Sequence, residues 1–156
     1  MDQDAAMTAE PAAMAAAAAR RLLWGAMLAL AIWIVVAWLL LSPASGPLAS
    51  LPVGWNAWIG GLALLLAGAH LYWTARVCFD WWVFAGWARR WRTSGSLAAG
   101  DMAAFDRRLG RSAPLETLTP VLDLARRTKG AMGLVRRQTA TGLGLLFCAA
   151  FIATGL

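Results

Sequence analysis

The sequence predicts an all-α integral membrane protein with two long transmembrane helices, a shorter third, and a short helical cytoplasmic segment before that third span. Three observations predict it. Of the 156 residues 60% are hydrophobic and only 14% charged, with a mean hydropathy of +0.60, against roughly 45–50% apolar and 25% charged in an average soluble domain. The apolar residues are gathered into uninterrupted runs, and about 20 helical residues suffice to cross a hydrocarbon core about 30 Å thick. Nearly all of the basic residues lie on one side of those runs.

Residues 1–21 form an alanine-rich leader of low complexity, read as a cytoplasmic tail that is frayed or unstructured and carries no chemistry. Residues 22–41, LLWGAMLALAIWIVVAWLLL, contain no charge and supply the first span. The run exceeds a signal-peptide core of about 7–15 residues, and acidic Asp2, Asp4 and Glu10 precede it. It is therefore read as a retained helix rather than a cleaved leader, although Arg20, Arg21, Ala44 and Gly46 imitate signal-peptide punctuation. Residues 42–54, SPASGPLASLPVG, hold three prolines and no charge, and form the external loop that ends one helix before the next.

Residues 55–92 give the second span with a cytoplasmic extension. Trp55 and Trp58 at one end, and Tyr72 and Trp73 near the other, suit the two interfaces, where a ring keeps its polar edge wet. The extension lies within HLYWTARVCFDWWVFAGWARRWR, residues 70–92, with one histidine, four arginines and five tryptophans. Val77, Trp81, Phe84, Ala88 and Trp91 fall at helical spacing, ending in Arg89, Arg90 and Arg92, the pattern of a helix lying along an anionic membrane surface. Arg76 and Asp80, four apart, are placed to form an ion pair worth about 0.3–0.5 kcal/mol if exposed to water.

Residues 93–137 form the basic cytoplasmic segment. TSGSLAAG, residues 93–100, reads as a loop; Asp101 is placed to cap a short helix through Leu109 that stops at Gly110. Thr119 before Pro120 starts another helix, which runs into residues 138–156, the third and shortest span. Ala140, Gly144 and Cys148, and in the second span Ala57 and Gly61, recur every fourth position, a spacing that permits close helix contact.

Orientation follows from the basic residues, because positively charged segments stay in the cytoplasm. Residues 76–137 carry twelve basic against five acidic side chains, and residues 42–54 carry no charge. The N-terminus is predicted inside and the C-terminus on the periplasmic side. Thirteen arginines to one lysine, with abundant alanine, fit a GC-rich bacterial genome; the location expected is the bacterial inner membrane.

The chemistry-bearing residues point to binding rather than reaction. Trp81, Trp82, Trp87, Arg89, Arg90, Trp91 and Arg92, with Arg126, Arg127, Lys129, Arg136 and Arg137, form the candidate contact surface for anionic phospholipid or a partner subunit. Cys78 and Cys148 lie far apart and in no CxxC, and no phosphate loop, dinucleotide fingerprint, HExxH or GxSxG occurs. No cofactor, metal or nucleic acid is expected, and carboxylates such as Asp101 and Asp106 give no sign of a lipid-modifying active site. The leading expectation is an accessory subunit of a larger membrane complex, associating with other subunits or with itself. The alternative makes His70 a proton-transport or haem/redox position tuned by Arg76 and Asp80, because an ionisable group at membrane depth is a functional hypothesis by default.

Overall fold

A computed structural model describes residues 3–41, 53–94, 98–108 and 120–154. The described residues form four α-helices: α1 (Gln3–Leu41), α2 (Val53–Ser94), α3 (Ala98–Arg108) and α4 (Pro120–Thr154). Two are long and apolar enough to cross a membrane, α1 over Glu10–Leu41 and α2 over Trp58–Thr93. The uncharged end of α4, 138–154, is shorter and follows Arg136 and Arg137.

Several expectations change in detail. The alanine-rich leader is not a separate tail, since α1 begins at Gln3, continues through Pro11, and buries Ala12, Ala15, Ala18 and Ala19. Alanine has the best helix propensity and no rotamer entropy to lose, and its small side chain lets neighbouring elements come close. Thr93 and Ser94 still belong to α2, and α3 starts at Ala98 rather than at Asp101. The expected cap at Thr119, the stop at Gly110 and residues 42–52 of the external loop lie outside the described residues.

The chain divides into two compact units, one made of Met1–Leu23 and Phe79–Met132, the other of Trp24–Cys78 and Gly133–Leu156. The core of the first contains Leu22, Phe84, Trp87, Trp91, Met102 and Leu124. Its aromatic rings are in direct contact: Trp87 stacks on Trp91 at 5.6 Å and meets Phe105 edge-on at 5.5 Å, both favoured ring geometries. The second unit packs Ile32 and Val36 of α1 against Leu145 and Ala149 of α4, with Trp33, Ala63 and Leu66 around them. Its outer face is apolar as well, with Ile34, Trp38, Leu64, Leu65 and Phe147 each more than 60% exposed.

Burial along the long helices repeats every seven residues. On α1 the inward positions are Ala15, Ala18, Leu22, Gly25, Ala29, Ile32 and Val36, at alternating steps of three and four. On α4 they are Leu124, Ala131, Gln138 and Leu145, and on α2 His70, Val77, Phe84 and Trp91. Such a repeat keeps one narrow stripe of a helix facing its neighbours. The stripe on α2 beyond the second span therefore packs into protein, whereas the sequence alone placed it on a membrane surface.

Candidate functional site

In the first unit three acidic side chains, Asp101, Asp106 and Asp123, are taken up internally. Arg127 grips Asp106 with both terminal nitrogens, Nη1 to Oδ1 at 3.1 Å and Nη2 to Oδ2, and donates from Nε to Asp123 at 2.9 Å, one turn earlier on α4. The two-pronged geometry matches the planar guanidinium to the carboxylate. The hydrogen bond from Asp106, then those of Asp123 and the attraction of both carboxylates, raise the Arg127 pKa above its ordinary value against the opposing effect of burial. Asp101 reaches from α3 back to α2, accepting from Arg90 Nη1 at 2.9 Å and from the indole Nε1 of Trp91 at 2.8 Å. Its carboxylate thus ties two helices together instead of capping one.

An open groove of about 850 Å³ lies in this unit between α1 and α2. Its floor is made of small residues, among them Ala12, Ala16 and Ala19 of α1 and Ala85 and Ala88 of α2. Trp81 and Trp82 wall it, and Arg20, Arg89 and Arg92 supply its charge; no carboxylate lines it among the described residues. All three arginines are exposed, and Arg92 spends only its Nε, on the carbonyl of Ala88 at 3.2 Å.

The second unit holds a polar centre around His70, which is fully buried. Its Nδ1 lies 3.0 Å from the main-chain oxygen of Gln138 on α4. A carbonyl only accepts, so Nδ1 carries the hydrogen, and in the neutral ring Nε2 is then a bare lone pair. Gln138 reciprocates: its Nε2 donates to the main-chain oxygen of Gly25 on α1 at 3.2 Å and to the hydroxyl of Thr74 at 3.3 Å. Thr74 passes its own hydrogen to the main-chain oxygen of His70 at 2.7 Å. Three helices are thereby stitched by imidazole, amide, hydroxyl and main-chain groups. His70 Nε2, Gln138 Oε1 and Trp33 Nε1 are buried without a hydrogen-bond partner, and the Trp33 and His70 rings lie 6.0 Å apart.

Close approach makes this centre possible. A Cβ on Gly142 would stand 2.8 Å from His70 Cε1 and 2.6 Å from Ile32 Cδ1, and one on Gly25 would stand 3.2 Å from both methyls of Val135. Glycine at these two positions lets α4 reach its neighbours. Of the small-residue pattern read from sequence, Cys148 is buried and Gly144 packs on Leu66, while Ala140 and Gly61 are exposed.

The predicted contact residues divide between uses. Trp81, Trp82, Trp91, Arg89 and Arg92 come together at the groove. Trp87 and Trp91 are largely inside the core and Arg127 is held by its two carboxylates, whereas Arg90, Arg126, Lys129 and Arg136 are exposed. Arg137 lies over the ring of Trp73 in the second unit, 5.2 Å from its centroid, as a cation does on an aromatic face. Sequence reasoning did not assign Arg20 or the alanine floor to this site, nor Trp33, Thr74, Gln138 and Gly142 to the histidine. Gln138 had one available signal, its place in the seven-residue series from Leu124 to Leu145. Among the described residues no group of three or more His, Cys, Asp or Glu side chains is placed to hold a metal ion.

Compared with protein-family models, curated proteins and solved structures, the chain matches none.

Proposed function

We propose that this protein is a small accessory subunit of a bacterial inner-membrane complex. In this reading α1, α2 and the 138–156 segment hold it in the bilayer, and its basic, Trp-rich cytoplasmic side meets anionic phospholipid and partner subunits. The observation that carries the reading is the disposition of charge in the first unit. Asp101, Asp106 and Asp123 spend their oxygens on groups of the same unit, while Arg20, Arg21, Arg89, Arg92, Arg126 and Lys129 remain exposed. Such a surface is built to attract anions, each basic group near an anionic membrane adding about 1 kcal/mol. The large exposed apolar side chains of the second unit suit lipid or a neighbouring helix, since an extended exposed apolar patch marks a contact surface.

Purification in a mild detergent tests the subunit reading: co-purifying membrane proteins or a stable self-association are expected, and a stable lone monomer would sink it. Protease added outside intact cells tests the orientation, with no cleavage expected near Arg107 or Arg126.

A second reading, in which the protein serves proton transfer or redox chemistry, is favoured by one observation, the unpartnered Nε2 of buried His70. The hydrogen bonds of the imidazole come from α4 rather than from Arg76 or Asp80. In this reading His70→Phe abolishes flux or removes a haem absorption band; unchanged flux and no band retire it.

A further inference from the structure

The groove in the first unit has two chemistries, an apolar floor and a cationic rim, on the helices that continue into the apolar runs of α1 and α2. Its volume of about 850 Å³ falls in the range of ligand pockets, roughly 300–1,000 Å³. The alanines on its floor leave space that larger side chains would fill, and Leu23 extends its lining toward the apolar run of α1. Arg20 comes from α1, and Arg89 and Arg92 from α2; three like charges lining one groove, with no lining carboxylate among the described residues, suit an anion. The nearest acid on α2, Asp80, does not line the groove, and Asp101 is already held by Arg90 and Trp91.

We propose that this groove is a site for one anionic phospholipid, its phosphate held by Arg20, Arg89 and Arg92 and an acyl chain lying on the alanine floor between Trp81 and Trp82. Guanidinium groups take a phosphate in two-pronged fashion, and tryptophan suits the level where headgroup meets chain. The site deepens the reading of a basic face toward anionic lipid, and rests on that reading, by turning a diffuse attraction into a stoichiometric site. A free phosphate would use only the rim; a lipid uses rim and floor together.

The test uses the full chain in a neutral detergent, titrated with phosphatidylglycerol or phosphatidylcholine and followed by native mass spectrometry. Saturable binding of one phosphatidylglycerol is expected, with phosphatidylcholine at least tenfold weaker. Replacing Arg20, Arg89 and Arg92 together by Gln should weaken phosphatidylglycerol at least tenfold. Removing two charges outside the groove and outside the basic contact surface, at exposed Arg107 and Arg108, should change it less than twofold. Ala16→Leu with Ala85→Leu fills the floor without touching charge and should also weaken binding tenfold, with helix content retained.

Equal weakening by the two charge-removal sets would overturn the proposal, as would binding that never saturates or is indifferent to the filled floor. Displacement of the lipid by inorganic phosphate at equal concentration would overturn the lipid as occupant. Carbonate extraction separates this from the underlying reading. A chain that stays with the membrane but lacks the lipid site sinks the inference alone, and a chain released into the aqueous fraction sinks both.

Discussion

Arg127 in the first unit is held by two carboxylates, whereas His70 and Gln138 in the second are held by main-chain oxygens and a hydroxyl. Both arrangements join polar groups across facing helices. The difference lies in what each does when one partner is lost. A buried carboxylate stripped of its counter-charge must either stay ionised in a poorly polarisable surrounding or take up a proton against its ordinary preference, and either course costs several kcal/mol. A network of imidazole, amide and hydroxyl groups loses one hydrogen bond at a time, and a single hydrogen bond contributes only about 1 kcal/mol. The first unit is therefore fragile at single residues and the second at its close contacts.

The largest effect is expected at Arg127. Arg127→Ala leaves the Asp106 carboxylate, 5% exposed, without its partner, and a loss of about 3–5 kcal/mol is expected in denaturant unfolding followed by tryptophan fluorescence. Exposed Arg126→Ala should cost less than about 0.5 kcal/mol; equal losses would break the comparison. The pH dependence has a definite sign. Because the Arg127 pKa is raised on folding, its contribution is fully present throughout the physiological range and is lost only as strong alkali titrates the guanidinium.

Gly142→Val comes next. The added methyls run into His70 and Ile32, and about 1–3 kcal/mol is expected for overpacking a close contact. Thermal melting in detergent reads it. An unchanged melting temperature would mean that α4 does not approach His70 as closely as described.

Gln138→Leu should cost about 1 kcal/mol, because two donated hydrogen bonds disappear while the buried, unpartnered Oε1 disappears with them. A loss as large as that of Arg127→Ala would erase the distinction between the two centres. Asp101→Asn should show the smallest effect, about 0.5–1 kcal/mol, since Arg90 is 63% exposed and the amide oxygen still accepts from one donor. A changed emission from Trp91 is its more sensitive readout.

The apolar helices themselves were readable. A run such as 22–41 without charge, and Trp55 to Ala75 with rings toward its ends, specify helices that suit lipid whatever they pack against. The helix from Pro120 into the last apolar stretch was also readable, from a proline at its first position after Thr119. Asp101 was not, because a carboxylate near a helix start fits a cap equally well, and only the position of Trp91 on another helix decides otherwise. The groove was half legible. Its tryptophans and two of its arginines stand together in residues 81–92, but Arg20 and the alanines come from the far end of the chain.

By itself the sequence determined the elements: lengths of uncharged chain, the crowding of arginine between residues 76 and 137, and the helix-forming alanine of the leader. Those follow from local free energies, transfer into lipid and backbone propensity, which depend on a residue and its neighbours in the chain. Tertiary structure alone decided which stripe of each helix turns inward. In an apolar helix the inner and outer faces are both hydrophobic, so polarity gives no contrast, and the choice falls to size and fit. Gly25 and Gly142 face inward because neighbouring side chains approach them closely, Ala15, Ala18 and Ala29 are buried along the α1 stripe, and Nδ1 of His70 is satisfied because Gln138, 68 residues away, presents a carbonyl at that place.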